Sequence, residues 1–160
     1  MPASLEPLRL YEAPVQADWI DYNGHMNETY YLLIASKATD ELIDFIGMDA
    51  AFRHKNERTI YTLETHIRYL KEVGQGELVV VETQILALDS KRFRLFHNLR
   101  HGPGGDLLCT IEMMMLHIDT SGPKAAPFEP GPKANLDEIF ATHKQMPMPS
   151  KAGRGIGMKA

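Results

Sequence analysis

The sequence predicts an α+β domain in which a five-stranded antiparallel sheet wraps around one long central helix. Three observations lead to it. An apolar stripe with a period near 3.6 begins at Asn27 and ends at Ile46. Four stretches of alternating polarity follow it, between Arg58 and Asp119. The segments joining those four stretches are short and polar or glycine-rich, which favours antiparallel hairpins over helical crossovers. A twisted sheet closed over the helix buries everything this pattern marks as apolar.

In chain order, residues 8–16 (LRLYEAPVQ) read as a first strand, closed by the turn-like stretch from Asp18 to Gly24. The helix carries Tyr30, Ile34, Ala38, Leu42, Phe45 and Ile46 on one stripe, with Glu28, Lys37, Asp40, Glu41 and Asp44 mostly elsewhere. Gly47 follows the last apolar residue as a helix stop. A connecting segment with Arg53, His54 and Lys55 leads to strands over Arg58–Lys71, Glu77–Leu88, Lys91–Arg100 and Asp106–Asp119. Val79, Val81, Thr83, Ile85 and Ala87 share one face of the second of these, and Leu107, Cys109, Ile111, Met113 and Met115 one face of the fourth. Glu64, Glu82 and Glu112 interrupt the apolar pattern and are expected on solvent or interface faces. Prolines recur from position 123 onward, a short helix is possible over Asn135–His143, and Pro147–Ala160 reads as a mobile tail. The division expected is a core domain over residues 1–130 and an extension over 131–160.

Composition narrows the function classes. The chain of 160 residues is the size of one ordinary domain, with 44% hydrophobic and 24% charged residues. The longest apolar run, Tyr30–Ala35, has six residues, far from the roughly 20 needed to span a bilayer. A net charge of −4 has the wrong sign for nucleic-acid binding. Cys109, the single cysteine, allows neither an internal disulfide nor a cysteine-rich zinc site. The opening MPASLEPLRL lacks a basic start followed by an apolar stretch, so a cytoplasmic location is expected.

The densest polar cluster, Asp18 to Asn27, lies where the chain enters the helix. The first amides of a helix lack internal partners and carry partial positive charge, which suits an anion or a developing oxyanion. Gly24 lets a carbonyl approach the backbone closely, and Asp21 stands where a general base or nucleophile would act. These residue types also serve as turn and cap residues, and spacing alone leaves both roles open for Asp21, Asn23 and Asn27. His97 and His101 are four apart, but on a strand and its turn, so no metal is expected. Met113–Met115 reads as sheet packing.

The stretch Asp21-Tyr-Asn-Gly-His-Met-Asn27, with Tyr30-Tyr31 in the helix behind it, resembles the D-x-x-G-H-x-N signature of the 4-hydroxybenzoyl-CoA thioesterase group of the hotdog-fold superfamily. His66–Glu77 is similar to that group's middle-strand pattern, and the likeness covers roughly residues 8–120. Within the superfamily, the run from Trp19 to Asn27 (WIDYNGHMN) looks closest to betainyl-CoA thioesterases of carnitine breakdown, and the segments Leu108–Asp119 and Ala126–Phe128 fit that match.

The resemblance implies hydrolysis of an acyl-CoA thioester with no separate cofactor, coenzyme A being part of the substrate. Asp21 matches the catalytic aspartate, acting as nucleophile or as general base toward water. Amides near Gly24 and His25 would polarise the carbonyl, while His25 and Asn27 would orient Asp21 or the substrate. Lys91 and Arg92 match positions where relatives carry basic residues for coenzyme A phosphates. A trimethylammonium acyl group would want aromatic faces, for which Trp19, Tyr22 and Tyr30 are the leading choices among Trp19, Tyr22, Tyr30, Tyr31, Tyr61 and Tyr69. Glu64 and His66 share a face that could approach the site or simply be solvated. Homodimers with active sites at the subunit boundary, or tetramers, are implied. The competing readings are a thioesterase for another short or aromatic acyl-CoA, a non-catalytic acyl-CoA-binding protein of the same fold, and a cystatin-like ligand-binding fold. In the last of these the helix usually comes first, whereas here a strand precedes it.

Overall fold

The computed structural model describes residues 4–158. Its strands are β1 (Leu8–Pro14), β2 (Arg58–Tyr69), β3 (Leu78–Leu88), β4 (Arg92–His101), β5 (Leu107–Asp119) and β6 (Lys124–Ala125). Its helices are α1 (Glu28–Phe45), α2 (Ala50–Asn56) and α3 (Pro130–His143). The main strands lie in the order β1-β3-β4-β5-β2, all antiparallel, and the two-residue β6 pairs with β5. The α+β class and the five-strand wrap around α1 agree with the sequence reading; α2 and β6 were not anticipated.

Helix α1 starts where it does because Asn27 caps it, its side chain accepting from the Thr29 amide. Tyr31, Ile34, Ala35, Ala38, Leu42 and Ile43 form the buried face, with Ala35 and Ala38 letting the sheet approach closely. The stripe is therefore rotated from the expected one: Tyr31 rather than Tyr30 points inward, and Phe45 is 54% exposed. Neighbouring tyrosines at 30 and 31 leave the phase of a helical stripe ambiguous. Against α1 pack Val79, Val81 and Ile85 of β3, Leu95 and Leu99 of β4, and Ile111, Met113 and Met115 of β5.

The connection from β2 to β3 is not the expected hairpin. β2 pairs with β5 at the far edge of the sheet, so residues 70–77 cross from one side to the other. The crossing can be short because the sheet curls, and it passes over the N-terminal end of α1. There Val73, 2% exposed, plugs the core, and its carbonyl accepts from the Met26 amide at 2.8 Å.

A bulge accounts for one further departure, and paired charges for another. A register shift between Ile85 and Ala87 inverts the alternation, so Ala87 is exposed instead of sharing the inner face, and Leu88 packs on the core. Glu82 is not on a solvated face. Its side chain is 8% exposed on the outer face, between Arg9 at 3.1 Å and Arg100.

Helix α3 begins five residues before the expected Asn135, because Pro130 suits the first helical position. It packs on β3 with Leu136 fully buried. β1 pairs with β3 only as far as Thr83, and the Ile85 amide beyond that end donates to His143 Nδ1 at 2.9 Å. The same ring bonds the Glu6 carbonyl, and burial pushes its pKa down. The expected mobile tail is tied to the sheet instead. Gln84 Nε2 donates to the Pro147 carbonyl at 3.3 Å, and the Gly153 amide donates to Glu112 Oε1 at 2.8 Å. Residues 159 and 160 of that segment lie outside the described residues.

Candidate active site

The loop before α1 is closed on itself and stitched to its surroundings. Ile20 and Met26 form an antiparallel bridge, the Asp21 amide donates to the His25 carbonyl at 3.1 Å, and the Gly24 amide donates to the Asp21 carbonyl at 3.0 Å. The Asn27 amide donates to the Trp19 carbonyl at 2.9 Å. Gly24 adopts φ +80°, a left-handed conformation that side-chain-bearing residues rarely take, although a Cβ there would meet open space. Glycine is required by the turn rather than by crowding.

Asp21 is half-buried, and its carboxylate is held at both oxygens. Oδ1 accepts from the Asn23 amide at 2.9 Å, and Oδ2 accepts from Asn27 Nδ2 at 3.3 Å. Asn27 thus has two tasks, since its Oδ1 also accepts from the Thr29 amide at 3.0 Å and from the Thr29 hydroxyl at 2.8 Å. Turn and cap roles are therefore real for Asp21 and Asn27, and the same bonds aim the carboxylate. An ionised carboxylate has about four acceptor positions, so two remain for a water or an acyl carbon in attack geometry.

Two amides could receive an oxyanion. The Gly24 amide is spent on the turn, so it is not the donor that its position suggested. Among the described residues, nothing bonds the His25 amide or the Glu28 amide at the first turn of α1. Both belong to the segment carrying Asp21, and the helix end adds partial positive charge. The His25 side chain is exposed.

The aromatic side chains divide into two groups. Trp19 stacks on Tyr30 with ring centroids 5.2 Å apart and planes 13° from parallel, while Tyr22 is 97% exposed. On the other side of the helix start, Tyr31 and Tyr69 meet edge to face at 5.3 Å. With Met26, Glu28, Leu70, Lys71 and Glu72 they line a hollow of about 320 Å³. The sequence reading counts Tyr31 and Tyr69 among the available aromatics but does not place them together. Only the phase of α1 and the crossover from β2 bring this group together.

Lys91 and Arg92 stand at the β3–β4 hairpin, at the opposite end of β3 from the loop. The eleven residues of β3 span about 35 Å at roughly 3.3 Å each. One chain does not bring these cations to its own Asp21. Asp89 accepts from the Lys91 amide at 2.8 Å and from Arg92 Nε at 2.9 Å, contacts that hold its carboxyl below the usual range. Glu64 and His66 lie on the outer face, beside Arg94, Glu112 and Arg154 of the tail, away from Asp21.

His97 is fully buried beneath the sheet. Its Nε2 is 2.9 Å from Thr39 Oγ1 and its Nδ1 2.9 Å from Thr83 Oγ1. Because the Thr39 hydroxyl donates to the Ala35 carbonyl, it accepts from Nε2–H, and Thr83 donates to Nδ1. Both ring nitrogens are engaged, leaving none for a metal shared with His101.

Comparison with known proteins bears on this geometry. A family model described as the thioesterase-like superfamily matches residues 15–136. A betainyl-CoA thioesterase of Pseudomonas aeruginosa is 40% identical over 94% of this chain and 95% of its own. An L-carnitine dehydrogenase/betainyl-CoA thioesterase of Agrobacterium fabrum is 43% identical over 94% of this chain, but the match covers only 30% of that longer protein. Among solved structures, a Staphylococcus aureus protein in complex with CoA superposes with a TM-score of 0.89 at 25% identity, covering 96% of this chain and 98% of that one.

Proposed function

The chain belongs to the thioesterase-like superfamily, and from that premise we propose that it hydrolyses betainyl-CoA to glycine betaine and coenzyme A, a step of carnitine breakdown. The observation that carries this reading is near-full-length similarity to a betainyl-CoA thioesterase, at 40% identity. The built site agrees with it in chemistry: a carboxylate held by two donors, with open amides beside it at a helix start.

The thioester carbonyl would lie over the start of α1, with its oxygen toward the His25 and Glu28 amides and its carbon toward Asp21. Charge that develops on the oxygen meets fixed dipoles, an effect worth about 3 kcal/mol per donor in acyl transfer. Asp21 then either attacks the carbonyl, giving a mixed anhydride that water opens, or takes a proton from the attacking water. Asn27 fixes the direction in which the carboxylate points. No resident cofactor is needed for either route.

A homodimer or tetramer in the cytoplasm completes the proposal. β2 is an edge strand, and Tyr61 and Leu63 on it are 46% and 54% exposed, an apolar edge that a second copy would cover. Such pairing would also let Lys91 and Arg92 of one copy serve coenzyme A bound at the other's Asp21. No helix among the described residues is long and apolar enough to cross a membrane.

The test is release of free thiol from betainyl-, acetyl- and benzoyl-CoA by the wild type and by Asp21→Ala. Betainyl-CoA turnover far above the others, lost in the variant, supports the proposal. Faster turnover of another thioester would retain the mechanism and discard betaine as the acyl group. No turnover of any thioester would leave a binding protein.

A further inference from the structure

We infer that the hollow bounded by Glu28, Tyr31, Tyr69 and Glu72 receives the cationic end of the acyl group and makes the site selective for a quaternary ammonium over a neutral group of the same shape. The inference rests on the betainyl-CoA reading and assigns the residues that would enforce it.

The hollow is the right kind of surface for such a cation. A quaternary ammonium has no N–H to donate, so it is recognised by aromatic faces and by nearby negative charge. The Tyr31 and Tyr69 rings stand at 85° to one another and form two walls of a corner. Their hydroxyls are pinned to the backbone: Tyr31 donates to the Lys71 carbonyl and Tyr69 to the Glu28 carbonyl, each at 3.2 Å. The corner is therefore built before a ligand arrives. Met26 and Leu70 supply apolar surface for methyl groups.

The charge is also unbalanced in the required sense. Glu28 and Glu72 border the hollow, and among the described residues neither carboxylate has a hydrogen bond or an ion pair. Lys71, the one basic residue of the lining, is taken by Asp106 at 2.9 Å. The neighbouring phenols register the excess. Tyr31 is pushed up to about 12, chiefly by burial, with Cys109 and then Glu72 adding. Tyr69 is raised by burial, then by Cys109 and Glu28. One carboxylate thus lies near each ring.

Position connects the hollow to the chemistry. Met26 and Glu28 flank Asn27, whose Nδ2 donates to Asp21 Oδ2. A betainyl group, with one methylene between carbonyl and cation, would place its charged end within a few ångströms of the reacting carbon. The phosphates of coenzyme A, by contrast, would be repelled from this negative rim and held to the far end of the pantetheine arm.

The experiment compares betainyl-CoA with 3,3-dimethylbutyryl-CoA, in which carbon replaces the quaternary nitrogen and the shape is kept. For each protein the quantity read is the ratio of kcat/KM for the two thioesters. The wild type is expected to favour betainyl-CoA strongly. Glu28→Gln with Glu72→Gln should lower that ratio tenfold or more, and Tyr69→Leu should lower it several-fold. Because each ratio is internal to one protein, partial loss of folded enzyme does not alter it. A glutamate that serves only the dipole of α1 would change stability and leave the ratio alone. A wild-type preference that persists in the double variant overturns the inference while the betainyl-CoA reading stands. A wild type that turns over both thioesters equally, or neither, overturns the reading and the inference with it.

Discussion

Asn27 donates from Nδ2 to Asp21 Oδ2 at 3.3 Å while its Oδ1 accepts from the Thr29 amide, so one side chain both starts α1 and aims the candidate catalytic carboxylate. The two tasks can be separated. Asn27→Asp keeps a good cap but sets a second carboxylate against Asp21 in place of a donor. The expected result is a fall of about tenfold to a hundredfold in kcat/KM at neutral pH, of the size general-base effects allow. The acid limb of the pH profile should move upward, because like charge makes Asp21 harder to ionise. Asn27→Ala removes both tasks, adding about 1 kcal/mol of lost stability in urea unfolding. Unchanged pH limbs in Asn27→Asp would show that the contact does not govern Asp21.

The long helix and the main strands were legible because each follows one period over many residues. The candidate loop was legible for a different reason: an aspartate, glycine, histidine and asparagine at fixed spacing stand immediately before a helix. What stayed hidden depends on three dimensions. Nothing in the residues around Leu86 announces a bulge, so Ala87 was assigned to the wrong face. The short segment after Tyr69 looks like a hairpin until the curl of the sheet is known. The hollow beside Asp21 joins the first turn of α1 to that crossover, so no local pattern contains it. Trp19 and Tyr22 drew attention as sequence neighbours of Asp21, yet Trp19 is stacked on Tyr30 and Tyr22 stands in solvent.

The C-terminal segment contributes to the stability of the sheet. Phe96 pairs with Gln84 on one side and Glu112 on the other, and it is 3% exposed although it lies on the outer face. The segment bonds Gln84 through the Pro147 carbonyl and Glu112 through the Gly153 amide, so it passes over Phe96. Ending the chain at Met146 is expected to expose that ring and to cost about 1.5–3 kcal/mol, the value of burying a phenylalanine. Urea unfolding of the two proteins checks this. Equal midpoints would mean that the segment covers the ring without stabilising the fold.

Three buried histidines should make the protein acid-sensitive. Burial pushes His97 down to about 3, and the groups against its ring are the uncharged Thr39 and Thr83 hydroxyls. His117 is lowered by burial and, less strongly, by Arg58; the Ala126 carbonyl, Glu129 and Asp119 oppose the shift. His143 is lowered by burial against the Glu6 carbonyl. In the unfolded chain each imidazole titrates near about 6.5. Stability from keeping them neutral is therefore fully present above that value and is lost as pH falls below it, because the unfolded state then binds more protons. The loss per group approaches about 1.4 kcal/mol per pH unit, and for His97 it continues down to about 3. Between pH 7.5 and 5.5, urea unfolding should show a fall of about 1.4 kcal/mol from His97 alone. His97→Gln, whatever its absolute stability, should have a pH dependence shallower by that amount. If the variant and the wild type lose stability in parallel over this range, His97 is not the neutral core group that its two threonine partners define.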